Sequence, residues 1–388
     1  MMKKNQIYLD YSATTPIADK VLKAMMPYFS VDFGNPSSIH QFGQKAEAAL
    51  EESRNILASH LGCSNSEIVF TSGGTESDNL AIRGVAFAQR NEHSKNHLLI
   101  SPVEHHAVSH TAQQLADLFG FELEYIKVDQ YGMVSPQNLQ NQLRPNTALV
   151  SIIYANNEIG TINPIPELAA VCQKSSVPFH TDAVQATAYL PLDVHQLNID
   201  LLSIGAHKFY GPKGVGALYI KKDTPIIPVQ TGGGHERGLR SGTPNIPYIV
   251  GLAEAIKFVE SNQREWIENI RGYRDELVRF VLDKIPDAHL TGHPTKRLPN
   301  HASFVFGGVD SQKLLMHLDL AGFACSSGSA CKTGNPQPSD VLLAMGYPPE
   351  LALSSLRVTL GKDTTQEQIE QFMTSLENII QKIRSQKS

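Results

Sequence analysis

Between about residues 65 and 222, short β-rich runs alternate with helical stretches. This alternation constrains the fold more than any other feature of the chain. Candidate strands are Ile68–Phe70, His97–Ile100, Glu124–Val128, Ala148–Ile153, Phe179–Thr181, Leu201–Ile204 and Gly216–Ile220. Helical segments such as Asn79–Gln89 and Val108–Leu118 lie between several of them. Parallel neighbours need a long crossover, usually a helix, so this texture predicts an α/β domain with a mostly parallel sheet. We assign residues 16–247 to it.

A different texture begins near Tyr248. Trp266, Ile270, Tyr273, Leu277 and Val281 recur at helical spacing and make one apolar stripe, with charged residues opposite. A strand-like Ala302–Phe306, a helix near Gln312–Leu320 and a glycine-rich loop follow. The last helix is predicted to start at Thr364 or Thr365, with Thr364 and Glu367 as a capping box. Its stripe is Ile369, Phe372, Leu376, Ile379 and Ile383. Residues 248–388, joined by 1–15, read as a smaller α+β domain.

Composition excludes several classes. With 41% hydrophobic and 18% charged residues over 388, the chain can bury a core. A net charge of -5 without a basic stripe argues against direct nucleic-acid binding. No apolar run is long enough for a membrane span, and the polar Met1–Gln6 start is not a secretory signal, so the cytoplasm is expected. Cysteines at 63, 172, 325 and 331 are too few for a disulfide scaffold. No second Cys/His pair completes a tetrahedron with Cys325 and Cys331, so no metal site is expected.

Four segments carry chemistry. Phe70–Glu76 follows a strand and opens a helix, and its Gly73-Gly74-Thr75 can bring backbone N–H groups close to an anion. Asp182 ends a strand, where ligands of open α/β sheets bind, although a helix cap is the commoner reading of position alone. Lys208 stands in a Gly/Pro-rich turn one crossover later, where it can converge with Asp182. Lysines at large are usually solvated charges. Cys331 sits among Gly, Ser and Pro residues, a composition that reads as an exposed loop suited to a travelling nucleophile.

The segments TSGGTESDN, VEHHAV, NNEIGTINP, HTDAVQ, AHKFYGPKGVGALY, GGGHERGLRSGT and CSSGSACKT occur in this order. Together they resemble the group I cysteine desulfurases, the NifS/IscS class within the class V aminotransferase family. The likeness runs from Leu9–Pro16 to Leu356–Gly361. It implies fold-type I, the PLP-dependent transferase fold, as a homodimer with active sites at the subunit interface. It implies pyridoxal 5'-phosphate carried on Lys208, with Asp182 on the ring nitrogen and His105 stacked on the ring and moving protons. Asn157 and Gln185 would bond the ring oxygen. Gly74, Thr75 and His207 would hold the phosphate, and Thr243 would reach the other subunit's phosphate. Arg357 would clamp the substrate carboxylate, with Asn35 nearby; Asn35 alone reads as a turn residue. L-cysteine would give L-alanine and a Cys331 persulfide, which passes to a sulfur-acceptor protein of iron–sulfur assembly or thiolation.

The chain departs from the family pattern at two places. Gly205 stands where relatives often have serine, which removes a hydroxyl from the phosphate's surroundings. Lys332 and Gly334 follow Cys331 where small or hydroxyl residues are usual. The sequence ends at Ser388, without the long tail by which housekeeping members contact a scaffold, so the acceptor stays open. A selenocysteine lyase or a related fold-type I aminotransferase is the alternative, and a non-catalytic adaptor a third. A transaminase has no use for Cys331, and an adaptor none for Lys208.

Overall fold

The computed structural model describes residues 6–328 and 337–386. Twelve strands are described. In chain order they are β1 (Ile7–Tyr8), β2 (Ile68–Thr71), β3 (His97–Ile100), β4 (Glu122–Tyr125), β5 (Thr147–Ser151) and β6 (Phe179–Asp182). β7 (Leu201–Gly205), β8 (Gly216–Ile220), β9 (Ala288–Leu290), β10 (His301–Phe306), β11 (Phe323–Ala324) and β12 (Ser355–Thr359) follow.

Seven of them form one sheet in the order β2-β8-β7-β6-β5-β3-β4. β4, β3, β5, β6 and β7 run parallel, and β8 is antiparallel to both β2 and β7. The expected α/β fold with a mostly parallel sheet is therefore present. β5, β6, β7 and β8 are buried along their whole length, as a sheet covered on both faces requires. Between β3 and β5 the strand order reverses direction. Loops leaving such a pair part in opposite directions and open a crevice at the strand ends.

Five of the seven expected strands of this sheet differ from the observed ones by at most one residue at either end. The fourth and third depart further. Ala148–Ile153 is found as Thr147–Ser151, and Glu124–Val128 as Glu122–Tyr125. Ile126 and Val128 lie beyond the end of β4. Ile126 is buried all the same, and Val128 makes an isolated bridge to Val134. Apolar residues alone place a strand's end poorly when the chain stays in the core after leaving the ladder.

The Trp266 stripe lies on a single helix, Ile246–Lys284. Its early part packs on helix Asp19–Met25, where Gly251 leaves room for the Met25 thioether. Its later part meets the last helix, and buried Arg274 donates to the Leu298 carbonyl at 2.7 Å. Tyr273 of the expected stripe is only partly buried. A three-stranded antiparallel sheet, β12-β10-β9, lies in the second half of the chain. Two separate sheets joined by one long helix support the division near residue 248, which we propose as the domain organisation. β1 pairs in parallel with β11, so the N-terminal segment joins the chain's second half.

The last helix runs Gln366–Ser385, and its capping box is Thr365 with Gln368. The expected pair was Thr364 and Glu367. Thr364 instead accepts from the Gly361 N–H at 3.0 Å, inside the preceding turn. Its buried face includes Ile380 where Ile379 was expected, and Ile379 is partly buried beside it. No helix among the described residues is long and apolar enough to cross a membrane.

Candidate active site

A cavity of about 260 Å3 opens at the strand ends of the large sheet. Each wall follows from a strand. β2 ends at Thr71, and Gly73 and Gly74 start the helix Gly74–His93. Gly73 adopts φ +151°, and a Cβ on Gly216 would lie 2.7 Å from the Gly73 carbonyl carbon. The glycines thus let this turn nest on β8 and present helix N–H groups and the Thr75 hydroxyl to the cavity, an anion-binding arrangement. Gly205 belongs to the same packing. A Cβ there would stand 3.3 Å from the Gly74 nitrogen, so glycine keeps the turn close.

Asp182 closes β6, 4% exposed, and its Oδ1 accepts from the Val184 N–H at 2.8 Å. Burial raises its pKa, against the pull of His105 and Lys208. Lys208 follows β7, in the turn Ala206–Lys208. Its Nζ donates to the carbonyls of Ser12 and Ala13 at 2.6 and 2.7 Å. Desolvation, and then the charge of Arg357, lower its pKa to about 8, while Asp10 and Asp182 oppose them. Lys208 is therefore a lysine whose neutral, nucleophilic form is accessible near physiological pH.

His105 caps the helix His106–Phe119, its Nδ1 accepting from the Ala107 N–H at 3.1 Å. A neutral ring so tied carries its proton on Nε2. The surrounding protein lowers its pKa, with Lys208, His106 and His110 adding to the effect and Asp182 opposing it. Asn157 follows β5 across the switch point from His105. Gln185 Nε2 donates to the Ser12 carbonyl at 2.9 Å. His207 Nδ1 lies 3.2 Å from the Thr14 hydroxyl, and its pKa falls to about 4, chiefly by desolvation.

Gly74, Thr75, His105, Asn157, Asp182, Gln185, His207, Lys208 and Arg357 all line this one cavity. Two other expected residues do not. Asn35 is an exposed turn residue whose Oδ1 accepts from the Ser37 N–H at 3.0 Å. Thr243 lines a different pocket, with Ser72 and Arg240. Cys331 lies outside the described residues. Cys325 is described, and burial pushes its thiol up, as it does Cys63 and Cys172.

The fold also brings here several groups to which no sequence motif assigns a role. Asp10 and the Ser12 and Ala13 carbonyls come from the N-terminal segment, which was matched as a motif without assigned functions. Asp78, 1% exposed, lines the cavity, and polar atoms of Asp78, His105 and Asp182 lie within 4.8 Å of one another. Burial, then Asp182, raises the Asp78 carboxyl well above its usual range. Its place one helical turn after Gly74 was the available signal. Glu158 lines an outer cavity of about 540 Å3 that shares His105, Asn157 and Arg357 with the inner one. Burial raises its pKa to about 7.

The chain matches the family model "Aminotransferase class-V" over residues 7–372. The cysteine desulfurase IscS of Dictyoglomus turgidum is 47% identical over 382 residues, covering 98% of this chain and 96% of the relative. The chain belongs to the class-V aminotransferases, in their IscS/NifS-like cysteine desulfurase branch. A solved NifS-like protein superposes with a TM-score of 0.90 at 36% identity, covering 97% of this chain and 99% of that one. A structure of SspA in complex with cysteine gives 0.80 at 36% identity, covering 92% and 99%. The fold of this desulfurase is thus that of its solved relatives.

Proposed function

We propose that the chain is a pyridoxal-phosphate-dependent, cytoplasmic cysteine desulfurase that releases L-alanine and leaves the sulfur as a persulfide on Cys331. The observation that carries this reading is the Lys208 amine. It is desolvated, with a pKa lowered to about 8, in one strand-end cavity with buried Asp182 and with Arg357.

The residues present fit the cofactor. The Gly74 helix start, Thr75 and His207 suit a phosphate, Asp182 suits a ring nitrogen, and the amides of Asn157 and Gln185 suit a ring oxygen. When bound, the cofactor supplies a protonated ring that takes up the electron pair released at the substrate's α-carbon. Asp182 holds the negative charge that keeps such a ring protonated. Lys208 would hold the cofactor, and its free Nζ would take the α-proton. The Ser12 and Ala13 carbonyls then accept from the ammonium. His105 would offer the bound cofactor a donor from Nε2. Taking a further proton at Nδ1 requires letting go of the Ala107 N–H.

The Arg357 guanidinium binds the α-carboxylate. The Cys331 thiolate attacks the substrate sulfur. A sulfur–sulfur bond forms, the carbon–sulfur bond breaks with its electron pair left on the substrate, the β-carbon takes a proton to become the alanine methyl, and the α-carbon regains the proton that it lost. The persulfide sulfur then passes to a thiol of an acceptor protein.

A homodimer completes the site in this reading. Its support is an exposed apolar band that includes Met26, Phe29, Val31, Phe33, Ile39 and Phe42, with Ile39 92% exposed. The band adjoins Pro36 and Ser37, which share a surface pocket with Glu236 and Pro244. The loop bearing Thr243 therefore lies at the same face and can reach a second copy's phosphate. The test is alanine release from L-cysteine with a reductant present. The wild type releases alanine and is yellow, with a colour that borohydride bleaches. Lys208→Ala does neither; a coloured, active Lys208→Ala protein would overturn the assignment.

A further inference from the structure

Arg357 is the carboxylate grip in the reading above, yet its guanidinium already holds a carboxylate. Nη2 donates to Asp10 Oδ1 at 2.8 Å and Nη1 to the Asn157 carbonyl at 3.0 Å. Nε is buried and has no partner among the described residues. The pair is largely desolvated, with side chains 8% and 17% exposed, so its charges are screened weakly. The same guanidinium lines both the inner and the outer cavity.

Asp10 does not depend on this pair for its place. The Tyr8 hydroxyl donates to the Asp10 carbonyl at 3.0 Å and to the Thr14 carbonyl at 2.9 Å. The Thr359 N–H donates to the Leu9 carbonyl at 2.8 Å, and the Ser12 N–H to the Thr359 hydroxyl at 2.9 Å. The segment is thus fastened to β12, two residues beyond Arg357, by its backbone.

We propose that Asp10 is a resident competitor for Arg357: the guanidinium is shared between Asp10 and the ligand's α-carboxylate, and Asp10 takes it back as alanine leaves. The inference rests on Arg357 as the carboxylate grip. Substrate and product carry the same carboxylate, so every increment of grip on cysteine also retains alanine. An arginine without a counter-ion here would make the ligand its counter-ion. Asp10 keeps the clamp neutral and makes release an exchange of partners. Asp10 is therefore a positioning residue that acts through Arg357.

Asp10→Asn is the test, because it keeps an acceptor and removes the charge. L-alanine binding to the cofactor-loaded protein, measured by calorimetry, should tighten about tenfold, the scale of one weakly screened charge contact. Cysteamine lacks the carboxylate, and its binding should not change. Tyr8→Phe disturbs the same segment without touching a charge and should leave both ligands unchanged.

A second readout is the pH at which the apo-protein's Lys208 becomes reactive toward pyridoxal phosphate. The charged and titratable groups acting on or beside Lys208 are Arg357, Asp10, Asp182, His105 and His207. Removing the Asp10 charge alone should move that midpoint down. Unchanged or weaker alanine binding in Asp10→Asn overturns the proposal, as does an equal change for cysteamine or the same change in Tyr8→Phe. Should the asparagine variant fold poorly, Asp10→Ser carries the same expectation. If the wild type makes no alanine from cysteine, the activity assignment fails. The comparison of alanine with cysteamine still decides the role of Asp10.

Discussion

Two sides of the cavity are built differently. Asp182 closes β6, and Lys208, Gly74 and His105 follow β7, β2 and β3 within a few residues, so the register of one continuous sheet fixes their spacing. Arg357, by contrast, comes from β12 of the smaller sheet and is held by Asp10, far away in sequence, and by the Asn157 carbonyl. Backbone ladders resist rearrangement, whereas an ion pair can change partners. The sheet side suits a permanently held group, and the Arg357 side suits a ligand that arrives and leaves.

Substitutions should separate the two sides. Asp182→Ala strikes the sheet side and should lower kcat by about a thousandfold, the scale of losing preorganised charge stabilisation. Steady-state kinetics with cysteine measures this, together with the changed visible spectrum. Arg357→Ala strikes the other side and should raise KM about a hundredfold with a smaller change in kcat, as expected for one charged hydrogen-bonded contact. A kcat loss as large as that of Asp182→Ala would dissolve the distinction. The smallest effect is in pH. Below the Lys208 pKa of about 8, each unit of acidification should slow cofactor attachment to the apo-protein about tenfold, with a plateau above it. Arg357→Ala should move that midpoint up, because a nearby positive charge is removed. Stopped-flow absorbance at a series of pH values reads both.

The sheet side was legible in the sequence because each of its residues lies within a few positions of a strand end, so local pattern and motif coincide. Lys208, Asp182 and Gly74 each follow a β-rich run directly. The Arg357 side was legible only in part. Arg357 was named through family likeness, but its pairing with Asp10 joins residues at opposite ends of the chain, and no local periodicity encodes that contact. Asp78 was missed because a single aspartate early in a helix reads as an ordinary solvated or dipole-matching charge. Its burial follows from helix Gly74–His93 lying across the large sheet. The capping box moved from Thr364 to Thr365 because both threonines precede a glutamate or glutamine at the right spacing, and the preceding turn claims the first.

The destination of the substrate sulfur separates a desulfurase acting through Cys331 from the other readings. The protein should be mixed with L-cysteine, without reductant, for a single turnover, then blocked with an alkylating reagent, digested and analysed by mass spectrometry. The peptide containing Cys331 should carry one additional sulfur atom, with alanine formed in equal amount, and Cys331→Ala should show neither. Additional sulfur on Cys325 instead, or undiminished turnover in Cys331→Ala, would contradict the role of Cys331.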